Sequence, residues 1–226
     1  MEILEDPIIA IHPGELKQEG DPNSYDFEYK VINVVCLGIL ELTDKEIIDF
    51  DKVERKIQVK RLNRFPCVMF KIPMENGKEI SCILFRNGKL IITGIKDQAK
   101  IPVIKEKIIK ILNKGGIKYH DFTIEIQNLV VMTNLHRTIN LELSCLSLTN
   151  CLYEPEQFPA AIVKQNNSTC LIFSNSKIIS LGNKNEEQMK VSLTQLIKDI
   201  FDHDLFLRLP DEEEFVLEDL DDDLFF

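Results

Sequence analysis

One stretch of sequence occurs twice in this chain, and this duplication constrains the fold more than any other feature. Residues 82–97 read CILFRNGKLIITGIKD and residues 170–185 read CLIFSNSKIISLGNKN, with seven identities in sixteen positions at a constant offset of 88. Two shorter matches lie upstream: FPCVMFK (65–71) with FPAAIVK (158–164), and INVV (32–35) with QNLV (127–130). Two copies of one unit predict a pseudo-symmetric fold in which neither half buries its apolar face alone, and such a fold suits a pseudo-symmetric partner.

The net charge of −10 over 226 residues is unevenly distributed. Eight acids and one lysine give −7 for residues 1–28, and nine acids without a base give −9 for residues 211–226. Residues 29–120 carry 19 bases and 10 acids, or +9, whereas residues 121–210 carry 7 bases and 10 acids, or −3. The ends are therefore acidic arms beside a basic first repeat, and the whole-chain charge does not exclude nucleic acid as a partner.

The sequence lacks the signals typical of enzymes, secreted proteins and membrane proteins. Its longest apolar run is far shorter than the roughly 18 residues of a membrane helix, and its N-terminus has no basic region of a secretory signal. The six cysteines include no CxxC pair, which predicts buried thiols in a reducing, intracellular compartment. With four scattered histidines and no phosphate loop or carboxylate dyad, we expect no catalysis, metal, cofactor or small-molecule substrate.

Hydrophobic periodicity and turn signals predict the same order of elements in both halves. The first half is expected to form strands at 29–40, 64–72, 79–86 and 89–95, and helices at 43–58 and 98–114. The second half is expected to form strands at 122–134, 159–165, 169–174 and 177–182, and helices at 139–148 and 185–203. Thr43 with Glu46, and Asn185 with Gln188, predict N-caps for two of the helices.

The predicted strands are apolar on both faces. Within 64–71, for example, Met69 lies on one face and Val68 and Phe70 lie on the other. Two long helices can cover only one face of a sheet. Either the sheets of the two repeats pack on each other as a sandwich, or the second face is a binding surface, and the pattern alone does not decide between them.

Two segments of the second half resemble a known family. YEPEQFPAAIVK (153–164) and LIFSNSK (171–177) resemble the second repeat of the TATA-binding protein family, and YEPEQFP is closest to its archaeal members. The resemblance extends over roughly residues 29–204. It is weaker in the first half, where KRLNRFPCV (60–68) replaces the Tyr-x-Pro-x-x-Phe approach of the family.

The resemblance implies an α+β saddle, in which two pseudo-symmetric repeats form a curved ten-stranded antiparallel sheet with helices on the convex side. The implied organisation is an acidic N-terminal extension (1–28), repeat 1 (29–120), repeat 2 (121–204) and an acidic C-terminal tail (205–226). Such a saddle places its concave face on the DNA minor groove, which would account for strands that are apolar on both faces.

The resemblance also implies a function, that of a general transcription initiation factor that binds the minor groove of A·T-rich promoter DNA. The family kinks DNA with one pair of Phe wedges per repeat and places one Asn per repeat at the saddle centre. The DNA-binding residues that it implies are Asn33, Val35, Arg64, Phe65, Lys71, Phe85, Lys89 and Thr93 in repeat 1, and Asn128, Val130, Phe158, Lys164, Phe173 and Lys177 in repeat 2. Three positions depart from the family, because Lys71 and Lys164 replace Arg, and Leu181 replaces a Thr that is kept at Thr93.

Partners are implied in the same way. Glu154 and Glu156 match positions that hold transcription factor B, so a factor B-like protein and RNA polymerase are the expected protein partners, in the cytoplasm or nucleoid of an archaeon or in a eukaryotic nucleus. The lysines of helix 98–114 resemble a helix that meets regulators. The tail 211–226 alternates acidic and apolar residues, as disordered tails and docking segments do.

Two other functions remain open at this point. The acidic arms and the weaker first repeat favour a divergent saddle protein that regulates transcription through protein–protein contacts, with weak or no DNA binding. TATA-binding-like domains also occur as accessory parts of DNA-repair and RNA-cleaving enzymes.

Overall fold

The computed structural model describes residues 27–43, 47–62, 65–74 and 77–207, and within these ranges the chain forms ten strands and four α-helices. The first half contains β1 (Tyr29–Leu42), α1 (Phe50–Glu54), β2 (Lys60–Arg61), β3 (Cys67–Pro73), β4 (Glu79–Phe85), β5 (Lys89–Ile95) and α2 (Ile101–Gly115). The second half contains β6 (Tyr119–Asn134), α3 (Leu141–Ser147), β7 (Cys151–Leu152), β8 (Ala160–Gln165), β9 (Ser168–Phe173), β10 (Lys177–Asn183) and α4 (Glu186–Asp202). Of the predicted acidic arms (1–28 and 205–226), residues 1–26 and 208–226 lie outside the described residues.

All ten strands form one curved antiparallel sheet in the order β2-β3-β4-β5-β1-β6-β10-β9-β8-β7. The long strands β1 and β6 pair at its centre, so a pseudo-twofold axis passes between them and relates five strands on each side. The predicted α+β fold with two repeats and helices on the convex side is confirmed, and the sandwich alternative is wrong.

The helices form where the sequence supplies both an apolar stripe and end signals. In α2, Ile104, Ile108 and Leu112 are fully buried, and Gly116 ends the helix at a φ of 74°, a left-handed conformation that glycine adopts without strain. In α4, the side chain of Asn185 accepts a hydrogen bond from the Gln188 amide at 2.8 Å, as the capping pattern predicted.

The prediction for the first helix is wrong in its extent. The predicted helix spanned 43–58 with Thr43 as its cap, but α1 has five residues and begins at Phe50. Asp49 caps it, with a carboxylate that accepts hydrogen bonds from the amides of Asp51 and Lys52. Residues 47–49 are not helical. The helix therefore starts at the capping residue nearest to its two buried residues, Phe50 and Val53, and that residue is Asp49.

The hydrophobic core lies between the sheet and the helices. Alternate strand residues on this side, such as Val34, Val68 and Ile172, are fully buried. On the opposite side, which we call the open face, the other set of strand residues, such as Val35 and Met69, stays half-exposed. The open face is therefore an apolar sheet surface that no element of the described chain covers.

The described fold extends three residues beyond the predicted end of repeat 2. Leu205 is fully buried, and Phe206 pairs with Ile139 and packs edge-on against Phe201 at a centroid distance of 5.1 Å. The guanidinium of Arg137 stacks 3.8 Å from the Phe206 ring centroid. Residues 205–207 thus pack against the elements of repeat 2.

Candidate nucleic-acid interface

Two rows of paired residues cross the open face, one in each repeat. Paired residues on neighbouring strands point to the same face, so each row is a continuous stripe of side chains. Row 1 consists of Lys60, Met69, Ile83, Ile91, Leu37 and Glu125. Row 2 consists of Leu152, Ile162, Leu171, Ile179, Met132 and Lys30. The four middle residues of each row are apolar and half-exposed, which gives the open face a flat apolar floor with twofold symmetry.

The inner ends of the two rows carry opposite charges. Glu125 on β6 pairs with Leu37, and Lys30 on β1 pairs with Met132. The two residues are equivalent under the pseudo-twofold axis, and both are exposed. Repeat symmetry therefore holds for shape but is broken for charge at the centre of the face.

Asn33 and Asn128 lie at the centre of the open face, as predicted. Asn33 pairs with Val130 and Asn128 pairs with Val35, so each asparagine faces a valine of the other repeat. The four predicted central residues therefore form one compact cluster around the pseudo-twofold axis.

A backbone hydrogen bond fixes the orientation of each of these amides. The N–H of Gly94 donates to Oδ1 of Asn33 at 3.1 Å, and the N–H of Gly182 donates to Oδ1 of Asn128 at 2.8 Å. Only the amide oxygen can accept from an N–H, so the assignment of oxygen and nitrogen is settled by chemistry. Both Nδ2 groups are left without a partner among the described residues, and each offers its hydrogens to a ligand on the open face.

The two glycines that donate these hydrogen bonds have an unusual backbone conformation. Gly94 and Gly182 have φ values of +95° and +87°, which side-chain-bearing residues rarely adopt. They occupy equivalent places in β5 and β10, where each bulges the strand toward its asparagine. The glycine that recurs in both repeats thus fixes the orientation of the asparagine side chain, and with it the direction of the Nδ2 donor.

The predicted phenylalanine pair of repeat 2 comes together beside row 2, where β8 begins and β9 ends. The rings of Phe158 and Phe173 pack edge to face, with centroids 6.3 Å apart. Phe158 keeps 40% of its surface exposed although it contacts another ring. A turn holds it in place, because the amides of Gln157 and Phe158 both donate to the Glu154 carbonyl at 2.9 Å.

The pair of repeat 1 is placed in the same way but is less packed. Phe65 precedes β3 by two residues, as Phe158 precedes β8, and Phe85 ends β4, as Phe173 ends β9. Phe65 is 63% exposed, and no ring contact joins it to Phe85 among the described residues. Its carbonyl accepts from the Cys67 amide at 2.8 Å, so the backbone is anchored while the ring projects into solvent.

The predicted basic residues are distributed around the apolar floor. Lys89 and Lys177 begin β5 and β10, and their amides close the preceding turns by donating to the side chains of Asn87 and Asn175. Lys164 is exposed at the outer part of β8. Arg64 lies outside the described residues.

Lys71 differs from its counterpart Lys164 because it is already paired. Its ammonium group forms a salt bridge with the carboxylate of Glu79, and both side chains are about half-exposed. Glu79 was missed by the sequence reasoning, since only the register of β3 against β4 brings the two residues together. An exposed ion pair of this kind is weak, typically below about 1 kcal/mol. An anionic ligand could therefore displace Glu79 from Lys71 at a small cost in free energy.

The threonine that repeat 2 lacks is replaced one strand away. In repeat 1, Thr93 pairs with Ser81, whereas in repeat 2 the equivalent pair is Leu181 with Thr169. Repeat 2 thus keeps one hydroxyl at this pair of positions, on β9, whereas repeat 1 has two. The offset of 88 between Ser81 and Thr169 would have located this residue from the sequence.

The predicted partner residues lie on the turn that precedes the second wedge. Both side chains are exposed; Glu156 lies in the turn 155–157, and Glu154 lies directly before this turn.

The sequence predicted an apolar open face but not the two rows that cross it. The edge strands β2 and β7, and the residue pairs that align the rows, cannot be derived from the repeats.

Comparisons with known proteins agree with this architecture. The family model described as transcription factor TFIID, or TATA-binding protein, matches residues 28–115 and 123–203. The TATA-box-binding protein of Pyrodictium occultum is 31% identical over 169 residues, which cover 73% of this chain and 81% of the relative. That of Thermococcus celer is 36% identical over 138 residues, or 60% of this chain and 73% of the relative. The structure of the Methanococcus jannaschii protein superposes with a TM-score of 0.67 at 28% identity, covering 77% of this chain and 99% of that one.

The fold and its open face define a duplicated single-sheet protein with a twofold-symmetric binding surface. The chain belongs to the TATA-binding protein family, whose members are transcription factors and not enzymes, so the predicted family and the absence of catalysis are both confirmed. Among the described residues, no group of three or more His, Cys, Asp or Glu side chains could hold a metal ion. No helix in that part of the chain is long and apolar enough to cross a membrane.

Proposed function

We propose that this protein is a general transcription initiation factor that binds the minor groove of A·T-rich promoter DNA through its open face, kinks it with two phenylalanine pairs and recruits a factor B-like protein and RNA polymerase. It would act wherever the chromosomal DNA is held. The names of its relatives, TATA-box-binding proteins, support the DNA target.

The observation that carries the proposal is the pair of central asparagines. Each has a free Nδ2 donor and faces a valine of the other repeat, between the two apolar rows of the open face. The minor groove of an A·T pair presents acceptors alone, namely adenine N3 and thymine O2, whereas a G·C pair adds the guanine amino donor. Two donors on a flat apolar surface are therefore complementary to A·T pairs, and the guanine amino group would meet both a donor and the floor.

The exposed phenylalanines support kinking at the two ends of the face. Rings inserted between base steps unstack them at a cost of about a few kcal/mol per step, and the bent DNA then covers more protein surface, as is known for the family. Phe65 and Phe158 keep 63% and 40% of their surface in solvent, an unfavourable exposure unless a partner removes it. The surrounding lysines supply the contacts to phosphate that hold the register.

The test of this function is DNA bending. Energy transfer between dyes at the two ends of an A·T-rich duplex should rise sharply when the wild-type protein binds. Phe158→Ala should reduce both the bend and the affinity while the circular dichroism spectrum stays the same. Val191→Ala is the control, because Val191 is an apolar residue on α4, away from the open face, and is at least as exposed as Phe158. A Phe158→Ala protein that bends DNA as the wild type does would disprove the proposal.

Recruitment of the factor B-like protein has its own test. Glu154→Arg should abolish the ternary complex on DNA while leaving the binary affinity for DNA nearly unchanged, since Glu154 is exposed and precedes the wedge without being part of the apolar floor. Glu187→Arg, on the helix-covered side, is the control for charge reversal. A normal ternary complex with Glu154→Arg would show that this turn is not the docking site. A wild-type protein that binds the factor but no DNA would instead favour the regulator that acts through protein contacts.

A further inference from the structure

Two of the six cysteines lie against each other beside the second wedge. Cys145 is in α3 and Cys151 is the first residue of β7, and their Sγ atoms are 2.7 Å apart. Both are partly exposed, whereas the other four cysteines are buried and have no thiol neighbour of this kind among the described residues. The sequence reasoning missed the pair because it treated every cysteine as a separate buried thiol.

Local backbone geometry brings the two thiols together. The helix α3 ends at Ser147, and Asn150 takes a φ of 54°, so the chain reverses and runs back along the helix as β7. The Asn150 carbonyl accepts from the Lys164 amide at 3.2 Å, and Cys151 pairs with Val163, which fixes the edge strand on β8. The approach of the two thiols therefore follows from a turn that the sheet itself anchors.

We propose that Cys145 and Cys151 form a disulfide bond that staples the end of α3 to β7. The oxidant would be a small disulfide such as oxidised glutathione. Cys145 attacks it as a thiolate and releases one thiol; Cys151 then attacks the mixed disulfide and releases the second. The two cysteines lose two electrons and two protons, and the small disulfide gains them to become two thiols, so the reaction balances.

The bond would act on the turn that carries the second wedge. β7 ends at Leu152 and passes directly into the segment 153–158, which holds Phe158 and the predicted partner residues. A covalent link at Cys151 restricts the base of this segment. Formation of the bond does not depend on the proposed function; its effect on binding does.

The rate of formation should be strongly pH-dependent. Burial, together with the neighbouring Cys145, raises the pKa of Cys151 to about 12, well above the usual value for a thiol. The thiolate is the nucleophile, and below this pKa its fraction rises about tenfold per pH unit. Closure of the mixed disulfide should therefore accelerate from pH 7 to pH 9.

The experiment uses the full-length folded protein in a glutathione redox buffer, followed by acid quenching and thiol counting in denaturant. Oxidation should lower the count from six thiols to four in the wild type, and from five to three in the control Cys67→Ala. Cys145→Ser and Cys151→Ser should each keep all five. The tryptic fragment 138–164 contains both cysteines and should lose two hydrogen atoms. A wild-type count that stays at six, or a loss that maps to other cysteines, would overturn the proposal.

The staple itself is tested by two measurements on the oxidised protein. The melting temperature should rise by roughly 5 °C relative to the reduced protein, as expected for the closure of a short loop. Amide hydrogen exchange at Gln157 and Phe158 should slow at least severalfold, since their shared acceptor is the Glu154 carbonyl. An oxidised protein with unchanged melting and unchanged exchange at these amides would show that the bond forms without holding the turn. DNA bending measured on both redox forms separates this result from a failure of the proposed function.

Discussion

The two repeats build the same five strands, yet they differ in how completely they prepare the open face for a ligand. In repeat 2 the rings of Phe158 and Phe173 support each other, and Lys164 is free of any ion pair among the described residues. In repeat 1 the ring of Phe65 projects without an aromatic neighbour, and Lys71 is bound to Glu79. Under the proposed function, repeat 2 is therefore preorganised, whereas repeat 1 would have to order a ring and release a lysine on binding.

The approaches to the two wedges differ in charge as well. KRLNRFP in repeat 1 carries three bases, and YEPEQFP in repeat 2 carries two acids. The guanidinium of Arg61 is tied to α1 through Glu54 at 2.6 Å and through Asp51, whereas Glu154 and Glu156 have no ion partner among the described residues. Of these two approaches, only YEPEQFP offers carboxylates to a basic partner.

The difference teaches that the two faces of the sheet are constrained separately. Core residues on the helix side of both repeats are apolar, because each must fill the same dense interior. Exposed charges on the open face, such as Glu125 and Lys30, fill no interior, so they can differ between the repeats without loss of folding.

The largest expected effect of this asymmetry concerns the wedges. Phe158→Ala should lower DNA affinity on the order of a hundredfold, whereas Phe65→Ala should lower it on the order of tenfold, because the Phe65 ring has no aromatic neighbour to hold it and should lose more conformational freedom on binding. Titration of both variants with one labelled duplex at one salt concentration checks the ranking. Equal losses would mean that preorganisation of the ring has no role.

The hairpins before Lys89 and Lys177 form a second comparison, now for stability. Gly88 has a φ of +83°, and a Cβ there would lie 2.7 Å from the Leu40 carbonyl oxygen, so Gly88→Ser should destabilise the fold by roughly 2 kcal/mol. Ser176 occupies the equivalent place at a φ of +74°. The reverse change, Ser176→Gly, should stabilise by about 0.5 kcal/mol, because relief of strain exceeds the added chain entropy. Urea unfolding of the two variants measures the change in the free energy of unfolding for each. A destabilised Ser176→Gly protein would contradict the strain argument.

The third comparison concerns the two lysines. Lys164→Ala should weaken DNA binding about tenfold and reduce the slope of log affinity against log salt by nearly one unit. Lys71→Ala should have a smaller effect, and Glu79→Gln should strengthen binding severalfold by releasing Lys71. DNA affinity measured for the three variants over a range of salt concentrations tests these predictions. A Glu79→Gln protein with unaltered affinity would show that the ion pair does not compete with DNA.

The smallest expected effect comes from the charged inner ends of the rows. Glu125→Gln should raise DNA affinity roughly threefold at low salt, and Lys30→Gln should lower it by a similar factor, because each acts as an exposed charge near phosphate. Both effects should shrink above about 0.5 M salt. Effects of the same sign, or effects insensitive to salt, would show that the two residues act through something other than charge.

Much of the fold was predictable because the repeat provides two independent readings of one pattern. The long strands and helices, the glycine stop of α2 at Gly116 and the Asn185 cap of α4 all follow from local sequence, and the structure confirms them. The two-residue edge strands β2 and β7 were not predictable, since they exist only through pairing with β3 and β8. The start of α1 was wrong because two competing caps lie six residues apart, and packing of Phe50 favours Asp49.

The site was predictable to the extent that it is repeated. The central asparagines and four phenylalanines stand at matched positions, and the structure places all six on or beside the open face. Features that belong to one repeat alone were missed, namely the Lys71–Glu79 pair, the neighbouring thiols of Cys145 and Cys151, and the charge of Glu125. Each of these features depends on strand register or on a tight turn. Register and turn geometry cannot be derived from the spacing of residues in one sequence.

The central claim is that the open face reads the minor groove through two amide donors and an apolar floor. Three duplexes of one design test it most directly: an A·T-rich duplex, its G·C counterpart, and an inosine·C version of that counterpart. Inosine lacks the guanine amino group, so I·C resembles A·T in the minor groove while keeping the major-groove pattern of G·C. At one salt concentration, the affinity for I·C should lie within roughly tenfold of that for A·T, and G·C should bind far more weakly. An I·C duplex that binds as weakly as G·C would contradict the account, because the protein would then be reading the major groove or none.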